Sequence, residues 1–510
     1  LVEWFRFPMP PPPAAILSVA DKRGLDEIAA ALSAKGVTLF ATEGTAAHLR
    51  AAGLAVFDLA DLTGMPPLLG GRVKALHPAV FAGLMAHEDE TAALEAMGSR
   101  PIDYLIAGVT PLDAGDRLER MDIGGPAMIR AAVKTHRRVT VATEPEDYAP
   151  IIAALRAAGR VGNALRRELA ARALARLAAA DAAAARALAA QADPQGEAPL
   201  APPLLVRATR LRYGENPHQR ATLWRTATWG ACAAGATLLQ GRAPSYTNVL
   251  DADAAFALAA RFARPAAVIV KHAGPAGAAL GADTQAAYRR ALAADPESAY
   301  GGTAGFNRPV GGDLMATILE TFTEAVVAPH FTAAARAAAA KRPAMRLLET
   351  GYGPHGEAEP EVRSVTGGLL VQTADRQRIG RDDLVRVTKR APGEAEIEDM
   401  LFALEVVRAV RSNAAVVARD GATVGIGGGQ PSRVGAVALA VRGLAKIGDT
   451  GAVLASDAYF PFPDSVEAAA AAGITAIVQQ GGARRDADTI AAADRLGLAM
   501  VFCGLRLFRH

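Results

Sequence analysis

Short apolar runs alternate with longer helical stretches along this chain, and that alternation limits the folds open to it more than any other feature. Residues 15–19 read as a buried strand, 25–35 as a helix closed by Gly36, 37–41 as a second strand, and 45–52 as a helix closed by Gly53. Strands follow at 102–109 and 139–142, with 122–133 helical between them. Strands that alternate with helices need a mainly parallel sheet covered on both faces. The fold class is therefore α/β. With 510 residues, the chain exceeds what one hydrophobic core serves, and two to four domains are expected.

Residues 150–192 are Ala-rich and read as helices by propensity. From 193 to 203 the composition turns to Pro, Gly and Asp, which marks a linker and a boundary near residue 200. The expected regions are 14–200 and 201–510. The second returns to α/β texture, with strands at 267–270, 415–417 and 476–478 and a helix over 395–412. No fixed-period repeat is visible, which argues against a solenoid.

Lys and Arg number 55 against 52 Asp and Glu, a net charge of +3. Such a balance gives no global attraction to nucleic acid or membrane, so anionic ligands must be held by local clusters. The two cysteines, Cys232 and Cys503, cannot make a disulfide framework or a Cys-rich zinc site. A reducing cytoplasm is the natural compartment. The richest apolar stretch, 170–192, is interrupted by Arg172, Arg176, Asp181 and Arg186, so no membrane span is expected. Residues 1–13, with their Pro run, read as a disordered or extended leader outside the fold.

Four polar clusters stand out in the second half. Residues 211–219 combine Arg212, Tyr213 and His218 around a Gly turn and an Asn-Pro step, a rigid loop with donors for phosphate. Lys271 and His272 come directly off an apolar strand, where α/β sheets place their ligands. Gly425–Gln430 with Ser432 and Arg433 follow Ser412 and Asn413. Ser456–Phe462 precede a basic C-terminus, 506–510. Singly, each has an ordinary explanation: a Gly-rich turn is usually a tight connection, a Lys-His pair a surface feature, and Tyr459, Phe460 and Phe462 core aromatics. Their conjunction outweighs these.

In this order the clusters resemble those of the AICAR transformylase family. The family's Leu-Arg-Tyr-Gly-x-Asn-Pro-His-Gln stands unchanged at 211–219, and its Ser-Tyr-x-Asn is 245–248. Its Ser-Ala-aromatic-Gly-Gly is 298–302 and its Gly-Gly-Leu-Leu-Val-Gln is 367–372. Gly425–Arg433 and Ala455–Phe462 complete a match running from about residue 204 to the end. The resemblance implies a cytidine-deaminase-like α/β region, with two such subdomains, that carries the formyl group of 10-formyltetrahydrofolate to AICAR. It implies His272 as base and Lys271 as the cation beside the developing oxyanion. Arg212, Tyr213, His218, Asn248, Asn413, Arg433 and Arg506 would hold the substrate. It further implies a homodimer and admits a potassium ion. Gly274 and Ala276 depart from the Asn and Cys of many members.

The first half resembles the IMP cyclohydrolase domain, whose fold is shared with methylglyoxal synthase. Ser18–Lys22, with Asp21 and Lys22, matches its first nucleotide loop, and Thr42, Gly44 and Thr45 its phosphate cradle. Arg72 and Lys74 lie in its basic segment, and Asp122 and Lys134 match the rest of the pocket. The resemblance implies dehydrative closure of FAICAR to IMP, in which Lys74, Asp122 and Lys134 handle protons and orientation. Positioning supplies much of the rate when both reacting groups belong to one molecule. Departures gather in this pocket: Ala20, Glu43, Ala75, Gly108, Thr110 and Thr135 replace the family's residues. Glu43 is expected to weaken phosphate binding, since it stands where a glycine lets backbone N–H groups approach the anion.

The rival readings are a transformylase whose first domain is kept only for structure or dimer contacts, a zinc nucleotide deaminase, and a nucleotide-binding regulator. The deaminase needs Pro-Cys-x-x-Cys, which is missing here. The regulator does not call for a base beside a cation.

Overall fold

A computed structural model describes residues 12–109, 121–192, 205–226, 230–353, 360–447 and 451–510. The chain divides into two compact units between Val206 and Arg207. The expected linker at 193–203, most of the expected leader and the segment from Thr110 to Leu112 lie outside the described residues.

The first unit holds strands β1 (Ala14–Ser18), β2 (Thr38–Ala41), β3 (Phe57–Asp58), β4 (Tyr104–Ala107) and β5 (Thr140–Ala142), ordered β3-β2-β1-β4-β5. Every pairing is parallel. The helices are α1 (Leu25–Ser33), α2 (Glu43–Ala51), α3 (Leu59–Thr63), α4 (Pro78–Met85), α5 (Thr91–Ala96), α6 (Gly124–Lys134), α7 (Tyr148–Ala158) and α8 (Asn163–Ala192). Side chains alternate across a strand, and β1 uses both sides. Ala15 and Leu17 enter a core with α1 and α7, while Ala14 and Ile16 enter one with α6 and α8. Burial on both faces is why β1 reads as an unbroken apolar run rather than an alternating one.

In the second unit, β6 (Leu205–Arg210) pairs with β7 (Thr222–Thr226) as a small separate ribbon. The main sheet is built from β8 (Thr237–Gln240), β9 (Ala266–Lys271), β10 (Gly274–Leu280), β11 (Thr303–Phe306), β12 (Ala325–Ala328) and β13 (Arg346–Glu349). After the β14 (Glu361–Val365) and β15 (Gly368–Gln372) hairpin, the same sheet continues with β16 (Val385–Arg386), β17 (Ala415–Arg419) and β18 (Ala422–Gly427). It is completed by β19 (Ala452–Ser456), β20 (Ile474–Gln479) and β21 (Ala499–Phe502). The order of its twelve strands is β16-β21-β20-β19-β17-β18-β10-β9-β11-β12-β13-β8.

Read outward from the β10–β18 junction, the two halves of this sheet match strand for strand. The helices match as well: α9 (Tyr246–Ala260) with α14 (Glu394–Val407), α10 (Thr284–Ala294) with α15 (Arg433–Ala440), and α11 (Pro296–Ala299) with α16 (Arg442–Ile447). Likewise α12 (Gly312–Ile318) answers α17 (Asp464–Ala471), and α13 (Ala333–Ala339) answers α18 (Asp486–Arg495). The sequence shows no repeat because burial asks only that these strands be apolar, not that they be alike.

The junction explains several glycines. A Cβ on Gly277 of β10 would lie 2.1 Å from the Ala291 carbonyl of α10, and one on Gly427 of β18 would lie 2.0 Å from the Ala436 carbonyl of α15. Helix backbone sits directly on these central strands, so only glycine fits. The Gly425–Gly429 segment is therefore partly a packing motif rather than purely a ligand loop.

Candidate functional sites

In the second unit, β9 and β10 are joined by the two-residue turn His272–Ala273, with Gly274 paired to Lys271. Both turn residues adopt left-handed backbone, at φ 56° and φ 58°. Tight hairpins require this conformation, and Asn-Gly or Asp-Gly usually supplies it. A histidine and an alanine there each carry a steric cost of about 1–2 kcal/mol. Asp251 on α9 holds the turn: its Oδ1 accepts from the Ala273 amide at 2.6 Å, and the His272 amide also donates to it. Burial pushes the Asp251 carboxyl above its ordinary range, although these amides and His272 pull the other way. The His272 side chain is exposed, and Lys271 Nζ donates to the Tyr300 carbonyl at 2.9 Å.

The other clusters gather at the same end of the sheet. β18 runs antiparallel to β10 with Ala422 opposite Ala279, so Gly427 lies toward the His272 end. β17 begins there, with Ala415 opposite Gly427 and opposite Ser456, the last residue of β19. Asn413 precedes β17. Its Nδ2 donates to the Gln430 carbonyl at 2.9 Å, and its Oδ1 accepts from Arg433 at 2.9 Å. Arg433 is buried; it also donates to the Ala414 carbonyl and pairs with the fully buried Asp457. Ser412 Oγ donates to Asp457 at 2.6 Å. Arg433, which the resemblance assigns to the substrate, turns its guanidinium into this interior network.

Asn248 is similarly committed. It closes a capping box at the start of α9, its Oδ1 accepting from the Ser245 amide at 3.0 Å and hydroxyl at 2.9 Å. Arg212 and Tyr213 dock beside this helix start through the Pro244 carbonyl and the Tyr246 amide. Both Arg212, which donates to the Tyr213 hydroxyl at 3.1 Å, and His218 are exposed. Exposed Arg506 lies over the Phe508 ring at 4.9 Å. The aromatics of the 456–462 cluster differ from one another: Phe460 is fully buried, whereas Tyr459 and Phe462 are 42% and 50% exposed, too open for core residues. Sequence reasoning missed Asp251, because one Asp in a helix has no local signature.

In the first unit, the C-terminal end of β1 meets the N-terminus of α2. The Thr45 hydroxyl donates to the Val19 carbonyl at 3.2 Å, and Lys22 Nζ reaches that carbonyl at 2.5 Å and Thr45 Oγ1 at 2.8 Å. Thr42 Oγ1 donates to Ser18 Oγ at 3.3 Å. Burial and the neighbouring Lys74 ammonium push the Lys22 ammonium below its usual range, so two cations share this mouth. The cradle is itself the first turn of α2, in which Glu43 is exposed and a Cβ on Gly44 would meet nothing. An acid in a helix's first turn is favoured by the helix dipole, but it occupies the end an anion would use.

Asp21 is paired with Arg23 at 2.6 Å, and Arg72 is exposed with its Nε on the Leu69 carbonyl. Asp122 Oδ2 accepts from the Gly125 amide at 3.2 Å, next to Ala75, whose Cβ lies 3.6 Å from where one on Gly124 would stand. Lys134 is the last residue of the eleven-residue α6. At 1.5 Å per residue this sets its backbone roughly 15 Å from the Asp122 end. Asp122 and Lys134, which the resemblance assigns to one pocket, thus stand at opposite ends of α6.

Each of the two α/β units gathers cations at the end of its sheet, an arrangement typical of enzymes that handle anionic small molecules. Known proteins resemble the chain along most of its length. Residues 24–135 match the MGS-like domain, and residues 132–443 match the AICARFT/IMPCHase bienzyme. The bifunctional purine biosynthesis protein PurH of Dinoroseobacter shibae is 46% identical, over 97% of this chain and 98% of its own. Those of Rhodospirillum rubrum and Mesorhizobium japonicum are 44% and 45% identical, each over 97% of this chain. The chain belongs to the AICARFT/IMPCHase family: it is a bifunctional AICAR formyltransferase and IMP cyclohydrolase, acting in the final steps of purine synthesis.

Proposed function

We propose that formyl transfer takes place at the Lys271–His272 turn and ring closure at the mouth formed by Lys22, Lys74 and the start of α2. The AICAR amine is conjugated with its ring, so its lone pair is delocalised and the nucleophile is poor. His272 takes the amine proton as the bond to the formyl carbon of 10-formyltetrahydrofolate forms. Lys271, anchored on the Tyr300 carbonyl, faces the oxyanion of the tetrahedral adduct. The folate nitrogen then leaves with a proton.

Arg212, Tyr213, His218 and Arg506 are assigned to the nucleotide, and Arg433 to holding the Asn413 amide toward it. Asn248 orders the start of α9. Tyr459 and Phe462, exposed with Arg485 over the Phe462 ring at 5.3 Å, suit the planar pterin and the carboxylates of a folate. In ring closure, Lys22, Lys74, Thr42, Gly44, Thr45 and Arg72 face the phosphate, Asp122 orients the reacting amide, and Lys134 acts from the far end of α6. Asp21, paired with Arg23, shapes the loop.

The chain is read as a cytoplasmic homodimer. Its two free cysteines suit a reducing compartment, and no helix among the described residues is long and apolar enough to cross a membrane. The β14–β15 hairpin exposes Leu369 and Leu370 at 55% and 60%, an apolar surface that suits a second copy. A potassium ion would draw on carbonyl and hydroxyl oxygens, since Arg433 already neutralises Asp457.

The observation that carries the transfer assignment is the left-handed backbone of His272 beside Lys271 at the end of β9. A non-glycine residue is held there at a cost, as happens at functional sites. His272→Ala is expected to lower kcat for formyl transfer by about 10²–10⁴-fold. Lys271→Ala should act on the same step, while Arg212→Ala raises KM for AICAR with a smaller change in kcat. Normal turnover in either of the first two variants would refute the roles given.

A further inference from the structure

The carboxylate beneath the His272 turn has a counterpart in the other half of the sheet. On α14, Asp399 accepts from the Asp420 amide at 2.8 Å and from the Gly421 amide at 2.6 Å, in the turn that joins β17 to β18. In both halves the acid lies 22 residues before the second residue of its turn. Both acids also sit within the second turn of the matching helix. Asp420 and Gly421 are left-handed too, at φ 54° and φ 71°.

The two copies differ in what the clamp holds. Asp-Gly is the pair that adopts such a turn most readily, so Asp399 holds a turn that its own sequence favours. His-Ala is a poor choice for the same geometry, so the clamp in the first copy keeps a conformation the residues resist. What it keeps there is the direction in which His272 leaves the sheet. We propose that Asp251 is a positioning residue for formyl transfer, fixing the His272–Ala273 turn so that the imidazole meets the AICAR amine. This rests on His272 being the base.

The test measures kcat and KM for AICAR, with melting curves, in the intact chain. Misplacing a reacting group by an ångström costs up to a hundredfold, so Asp251→Ala should lower kcat by about 10- to 100-fold and leave KM within about threefold. Asp251→Asn keeps an oxygen acceptor for the turn amides and should restore kcat to within about threefold of wild type. Asp399→Ala removes the same bonds from a turn that carries no chemistry. It should lower the melting temperature much as Asp251→Ala does, with kcat within about threefold of wild type.

If Asp251→Ala does not fold, the comparison is made between Asp251→Ala/Ala273→Gly and Ala273→Gly alone, where glycine relieves the turn; the loss in kcat should persist. Wild-type kcat in Asp251→Ala, or in the double variant relative to Ala273→Gly, overturns the proposal. So does an equal loss in Asp399→Ala, which would mean that the clamp matters only for general rigidity. His272→Ala separates the two ideas. If it turns over normally, the assignment of the base fails; if it is inactive while Asp251→Ala is normal, only the positioning role fails.

Discussion

Arg433 and Asp457 illustrate how far individual residues can be read. The sequence placed Arg433 in a cluster with Ser412, Asn413 and Gly425–Gln430, and the structure brings those residues to one end of the sheet. What a guanidinium faces is set by long-range packing, and here it faces Asp457, 24 residues on and fully buried. Breaking a buried pair strands a charge, so Arg433→Ala should destabilise the second unit by about 3–5 kcal/mol in chemical denaturation. A loss under about 1 kcal/mol would mean that Asp457 finds water or another partner. Tyr459 and Phe462 carry the same lesson: flanking a buried Phe460, they look like core residues until the turn after β19 exposes them. Asp251 left no trace in the sequence because its partners are backbone amides 21 and 22 residues away.

At the scale of elements, the sequence yields strands in which two-face burial leaves continuous apolar runs, such as β1, β9, β17 and β20, and passes over many of the shorter ones. Where a reading differs from the structure, the cause is local. The helix expected to reach Ser412 ends at Val407, because the chain must turn to deliver Ser412 and Asn413 to the start of β17. The helix expected to start at residue 45 starts at Glu43, so the segment that resembles a phosphate cradle lies at its N-cap and first turn. The Gly-rich run of β18 drew attention as a ligand loop, and its tightest constraint is the contact with α15. Gly427→Ala drives a Cβ toward the Ala436 carbonyl, where backbone must move. Overpacking of that kind costs about 1–3 kcal/mol, so a melting curve should show the variant clearly less stable than wild type. An unchanged melting temperature would show that β18 and α15 separate at little cost.

For the whole molecule, the sequence conveyed two α/β regions and their order; the repeat inside the second left no periodic pattern, and only the family resemblance implied its two subdomains. Both halves of the twelve-strand sheet use one plan, and only one carries the Lys-His turn at the end where the other clusters gather. The division of labour between the two units is the central claim, and paired initial-rate assays on the intact chain test it. One follows formyl transfer to AICAR from 10-formyltetrahydrofolate; the other follows closure of supplied FAICAR to IMP without folate. The account predicts that His272→Ala abolishes the first and leaves the second at the wild-type rate, while Lys22→Ala slows the second and spares the first. Loss of FAICAR closure in His272→Ala, or equal loss of both reactions in Lys22→Ala, would contradict it.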